Sequence, residues 1–293
     1  MSPLSREPLN KGASPPCISP TPEGCSVRFV GQLGLDQSFP RDTLTVSLGA
    51  RQIVLERRTG LFARRVAARA EIPVAGVPDG SGVAVLDALD GALKDPRWHG
   101  ANARVTVSNS MVRFVTVPAS SEVVGLGDEL ALARLRLQQV HGVAGKALDV
   151  RLSSPLAGGD QLAAALESGF LEGLRASLSG AKLRTAAIEP LLMHAFNRAR
   201  QRLSGGDYWF ACAEPGLLGL GRVRRGDWAG IAFSPFAGEL GVAIERQIRE
   251  AVLLSADQLP PGRVYLHSQG VGFSGLSAGT GVDCVNVSPA QRA

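Results

Sequence analysis

The 293-residue chain carries 31 Lys and Arg against 26 Asp and Glu, a formal net charge of +5, with 45% hydrophobic and 5% aromatic residues. That length can bury one large core or two lobes. The mild basic bias suits an acidic surface or anionic headgroups but makes no nucleic-acid footprint, and so few aromatics offer no base-stacking platform. Cys17, Cys25, Cys212 and Cys284 show no metal-ligand spacing, which fits reduced thiols in a cytoplasmic protein. No apolar run is long enough to span a bilayer, and Ser, Pro, Lys and Glu interrupt the N-terminus where a signal peptide needs an apolar core. The expectation is a protein neither exported nor integral to a membrane.

Residues 1–42 read as a disordered tail, rich in Ser, Pro and Gly at first, with Val27–Val30 as either a short strand or more linker. From Thr43 the pattern is strand, turn at Gly49, strand, turn at Arg58-Thr59-Gly60, and a third strand. The alternation Ala63-Arg-Arg-Val-Ala-Ala-Arg-Ala70 fits a strand with one wet face, in preference to a phosphate-binding stripe. Val83–Leu93 carries Leu86, Leu89 and Leu93 at helical spacing, and Asp95-Pro96 stops it. Ala103–Ser108 and Met111–Val117 read as two strands joined by Asn109-Ser110, the second ended by Pro118. Asp128 is the predicted N-cap of a helix ending at Gly142, with Gly125-Leu126-Gly127 before it read as loop. Leu148–Leu152 is a short strand, and Asp160–Leu178 a second helix. Lys182–Ile188 is a strand, and Pro190 sits in the first turn of a helix over Leu191–Leu203.

After Ser204-Gly205-Gly206 the opening pattern returns. Tyr208–Ala213, Leu217–Val223 and Trp228–Phe233 are strands, with turns at Pro215-Gly216 and Arg224-Arg225-Gly226. A helix over Glu239–Leu254 and a strand over Arg263–Leu266 follow, as Val83–Leu93 and Ala103–Ser108 follow the first unit. Ser268–Gly281 is loop-like, and Asp283–Val287 is a last strand. The organisation is a β-β-β-α-β plan used twice.

Catalytic motifs are scarce. There is no Gly-Lys-Ser/Thr phosphate loop, no His-Glu-x-x-His and no Gly-x-Ser-x-Gly, and His99, His141, His194 and His267 are isolated in the sequence. The constellation that matters is the pair of hairpin turns, Ser47-Leu48-Gly49 and Glu214-Pro215-Gly216. A duplicated β-β-β-α-β plan with Gly in the first hairpin of each half resembles the actin-like ATPase superfamily. That resemblance implies hairpins cradling nucleotide phosphates, with an Asp two residues before each Gly helping to hold metal and attacking water.

The middle of the chain narrows it. Ser110-Met-Val-Arg-Phe-Val-Thr-Val-Pro118, an Asp-Glu-Leu helix start, Leu148-Asp149-Val150, and Ile188-Glu189-Pro190 leading into a helix resemble the PilM-like pilus-assembly proteins and their relative, the cytoplasmic part of GspL. The resemblance spans about Thr43 to Gly270. It implies an α/β, ribonuclease H-like architecture of two lobes, 43–205 with an inserted subdomain and 206–293. Against the superfamily's pattern, Ser47 replaces the first Asp, Pro215 removes a backbone N–H, and Leu266-His-Ser-Gln-Gly270 replaces the Gly-Gly of the adenosine turn. Ser47, Gly49, Glu214, Gly216 and Gly270 thus define a degenerate nucleotide site, with no catalytic or metal residue assigned and no cofactor expected. The implied function is a pseudo-ATPase scaffold of a type IV pilus or type II secretion-like machine. Its implied partner is the cytoplasmic tail of a PilN-like inner-membrane protein, which would place it peripherally at that membrane. The alternative is an active ATPase or small-molecule kinase using ATP and Mg²⁺ with Glu214 as its sole carboxylate.

Overall fold

The computed structural model describes residues 42–60, 65–75, 82–120, 125–142, 147–153, 159–203, 206–254, 262–277 and 281–288. The expectations for residues 1–41, including Val27–Val30, Cys17 and Cys25, lie outside the described residues.

Two five-stranded sheets share one plan. The first runs β3-β2-β1-β4-β8, built from β1 (Thr43–Leu48), β2 (Gln52–Thr59), β3 (Arg65–Pro73), β4 (Asn102–Val107) and β8 (Arg184–Pro190). The second runs β11-β10-β9-β12-β13, from β9 (Tyr208–Glu214), β10 (Leu217–Arg224), β11 (Asp227–Pro235), β12 (Arg263–Ser268) and β13 (Asp283–Asn286). In each, two antiparallel pairings build a meander on the first strand, and two parallel pairings extend its other side. The duplication read from the sequence is therefore a duplication of strand order and direction.

Alternation explains β1 and β2, where Leu44, Val46, Leu48, Ile53 and Leu55 are buried and the residues between them are not. The central strand β9 is buried at every position, as expected of a strand covered on both faces. Helix α1 (Val83–Leu93) lays Val85, Leu89 and Leu93 on the first sheet. Its N-cap Gly82 has φ 74°, and a Cβ there would meet the Phe170 ring at 2.4 Å.

Between β4 and β8 a smaller unit is inserted. Its three strands run β5-β7-β6, from β5 (Arg113–Val117), β6 (Leu148–Leu152) and β7 (Gln161–Glu167), under helix α2 (Leu126–His141). Here the sequence reading needs correction. The segment predicted as one helix from Asp160 divides into β7 and helix α3 (Ser168–Gly180). Gln161-Leu-Ala-Ala-Ala-Leu is buried throughout as the middle strand of its sheet, and pairing on both edges overrides the helix preference of alanine and leucine. Amphipathic spacing returns only at Phe170, Leu171, Leu174 and Leu178. Helix α2 starts at Leu126 with Gly125 as N-cap, so Asp128 lies in the first turn, where its charge complements the helix dipole.

Pro190 closes β8 and is the N-cap of helix α4 (Leu191–Ala199), not part of its first turn; a short 3₁₀ turn, Arg200–Arg202, completes the predicted span. Helix α4 is the wedge between the two large sheets. Its Phe196 meets Phe210 of β9 edge-on at 5.2 Å and Trp228 of β11 at 4.8 Å, so one core joins both sheets. Helix α5 (Leu240–Leu254) covers the second sheet with Leu240, Ala243, Ile244 and Ile248.

Candidate functional site

Strand β4 does not turn back into β5 through a simple hairpin, because the two strands belong to different sheets. The chain leaves the first sheet through a 3₁₀ turn at Asn109–Met111, capped by the Ser108 hydroxyl, which accepts from the Ser110 N–H at 3.2 Å. This turn is the centre of a polar clasp between the sheets. The Ser108 N–H donates to the Leu48 carbonyl at 2.8 Å, tying the turn to the end of β1. The Ser108 hydroxyl donates to Glu214 Oε2 at 2.6 Å, and the Asn109 N–H donates to Glu214 Oε1 at 2.9 Å. Both oxygens of Glu214, the last residue of β9, are thereby held by the opposite sheet.

Asn109 extends the clasp. Its Oδ1 accepts from the Leu192 N–H at 2.9 Å, satisfying a donor at the start of α4, and its Nδ2 lies 3.6 Å from Cys212 Sγ. Ser108, Asn109, Glu214, Cys212 and His267 are all buried. Burial raises the Glu214 carboxyl above its ordinary value, and the bonds from Ser108 and Asn109 only partly offset this. Burial, with Glu214 beside it, pushes the Cys212 thiol up as well. His267, next to Cys212 across the β9–β12 pairing, is pushed down to about 4, chiefly by burial and then by His194, Arg198 and Arg202.

No family model and no curated protein matches the chain. Solved structures do. A PilM–PilN type IV pilus biogenesis complex aligns with a TM-score of 0.58 at 17% identity, over 85% of this chain and 89% of that one. The cytoplasmic domain of EpsL, an inner-membrane component of the type II secretion system of Vibrio cholerae, aligns at 0.53 and 11%, over 84% and 88%. A Bacteroides thetaiotaomicron protein with an actin-like ATPase fold aligns at 0.52 and 11%, over 83% and 86%. The chain has the actin-like ATPase fold.

Within that fold, the five residues singled out from the sequence fall in two places. Ser47 and Gly49 lie at the end of β1, Ser47 half-buried and paired across to Val54 and Thr106. The Gly49 N–H donates to the Gln52 carbonyl at 2.9 Å, and a Cβ on Gly49 would stand 2.7 Å from that same oxygen, so the tight turn requires glycine. Glu214 ends β9; Gly216 follows with φ 81°, and a Cβ on Gly270 would lie 3.7 Å from Pro215 Cγ, so the second turn and the 266–270 turn are neighbours. The two places are joined through Ser108, by way of Leu48.

The sequence reading ends a strand at Ser108 and takes Asn109 as part of a connection, yet these two residues carry the joint. The available signal was a Ser-Asn-Ser run placed directly after the apolar Val105-Thr-Val107.

The residues do not fit a nucleotide-bound Mg²⁺. That ion keeps several waters and is bound through one or two carboxylates together with the substrate's phosphates. Ser47 offers none, and Glu214 is 8% exposed with its proton held more tightly than usual. Among the described residues no group of three or more His, Cys, Asp or Glu side chains is placed to hold a metal ion, and no helix is long and apolar enough to cross a membrane.

Proposed function

We propose that this chain is a non-catalytic scaffold of a type IV pilus or type II secretion-like assembly that engages the cytoplasmic tail of a PilN-like inner-membrane protein. Its likeness in fold to PilM and to the cytoplasmic domain of EpsL supports the assembly context. The observation that carries the non-catalytic reading is the Glu214 clasp. The carboxylate that an ATPase of this fold would turn toward metal and water is spent on Ser108 and Asn109, fastening one sheet to the other. The partner's tail would dock as an extended segment, through main-chain pairing and a few side-chain pockets. The chain would then reach the membrane through its partner.

Calorimetry with ATP and Mg²⁺ is the test. No heat of binding is expected at about 1 mM nucleotide, where even a millimolar affinity would register. A synthetic peptide copying the PilN-like tail should bind under the same conditions. Phosphate release by the wild type that disappears in Glu214→Gln would overturn the non-catalytic reading and establish the ATPase alternative.

A further inference from the structure

The outer edge of the first sheet carries opposite charges at mirrored positions about Ala70. Among the described residues, strand β3 is the terminal strand of that sheet and pairs only with β2. Its N–H and C=O groups alternate in direction. The Val74 N–H donates to the Arg51 carbonyl at 2.9 Å, which sets the phase: Ala68, Ala70 and Ile72 bond inward to β2, and Arg69 and Glu71 present their N–H and C=O outward. In these five residues, Ala68-Arg-Ala-Glu-Ile72, an arginine and a glutamate stand at equal distance on either side of Ala70.

We propose that a second copy of this chain pairs here, β3 against β3, antiparallel about a twofold axis through Ala70. In that register Arg69 lies opposite Glu71 of the second copy, and Glu71 opposite its Arg69. Both are the outward-bonding positions, so each pair exchanges two backbone hydrogen bonds. The charges match as well. Arg69 and Glu71 share the outer face, 56% and 52% exposed and 2.7 Å apart, and the second copy adds the opposite sign beside each. On the inner face Ala68 meets Ile72, and Ala70 meets its own copy, continuing the partly buried apolar layer that these residues form against the core. Two five-stranded sheets become one of ten.

The contact is small and bounded. The irregularity opposite Arg57 and Arg58 interrupts the edge just before Ala68, and Pro73 has no N–H to give at the other end. Such an edge associates weakly and closes at two copies, because the axis uses each edge once.

Sedimentation velocity of the full chain, from about 10 µM to about 1 mM, reads the association directly. The wild type is expected to shift from monomer toward dimer across that range. Arg69→Glu and Glu71→Arg should each stay monomeric, since each sets like charges opposite one another, with association weakened by about tenfold or more. Mixed together, the two variants should associate, because every pairing between them is again of opposite sign. A wild type that stays monomeric throughout overturns the proposal, whether the edge is bare or taken by another protein's extended segment. So does a dimer that both single variants retain, or a mixture that stays monomeric.

Discussion

Strands β3 and β11 hold the same place in the two sheets and have opposite fates. Each is the outer strand of its meander. Strand β3 has no buried residue, whereas β11 buries Trp228 completely. The difference lies in what was added around them. The inserted unit stands over β11, with Phe114 stacked on Phe233 at 5.0 Å, and α4 sends Phe196 onto Trp228. Among the described residues no ring contact of this kind reaches β3. Two glycines in β10 record the same history: a Cβ on Gly219 would meet Phe233 at 2.4 Å, and one on Gly221 would meet Trp228 at 2.2 Å. One topology thus supports an open edge and a covered one.

Emptying the covered edge should have the largest effect. Trp228→Ala is expected to cost about 3–5 kcal/mol of stability, seen as a lowered midpoint in urea unfolding with the slope preserved. Next comes the joint between the sheets. Glu214→Ala leaves the Ser108 hydroxyl and the Asn109 N–H without their buried acceptor, a loss of about 2–3 kcal/mol by the same measurement. Overpacking is milder: Gly221→Ala, which pushes on the Trp228 ring, should cost about 1–3 kcal/mol.

A pH series isolates His267. Its folded value of about 4 lies below the ordinary 6.5, so its contribution is complete above 6.5 and is lost as the pH falls toward 4. His267→Gln should flatten the decline of melting temperature across that window; an unchanged slope would show that His267 does not titrate there. At the open edge, Arg65→Ala should leave the urea midpoint unchanged, because its exposed side chain has no core to leave.

Much of this architecture is written locally. The two meanders announce themselves through alternation and turn residues, as with Leu44, Val46 and Leu48 before Gly49, and Arg224-Arg225-Gly226, where Arg225 and Gly226 take positive φ. Strand β7 was illegible because nothing in Gln161–Glu167 distinguishes a doubly paired strand from a buried helix; its neighbours β5 and β6 make that choice from a distance. The candidate site divides the same way. Ser47, Gly49 and Gly216 follow from turn chemistry, but the bond from Ser108 to Glu214 spans 106 positions and depends on how the two sheets face each other. Sequence reading located the carboxylate and missed what it holds.

The wedge formed by α4 has a consequence for how the chain can be divided. Phe196 belongs by sequence to the first half and packs within the second, against Phe210 and Trp228. Cutting the backbone between Leu203 and Gly206 would leave each fragment with a greasy, unmatched face. Neither piece would be at home in water alone, and co-expressed they should find each other again as a split protein, restored by complementation.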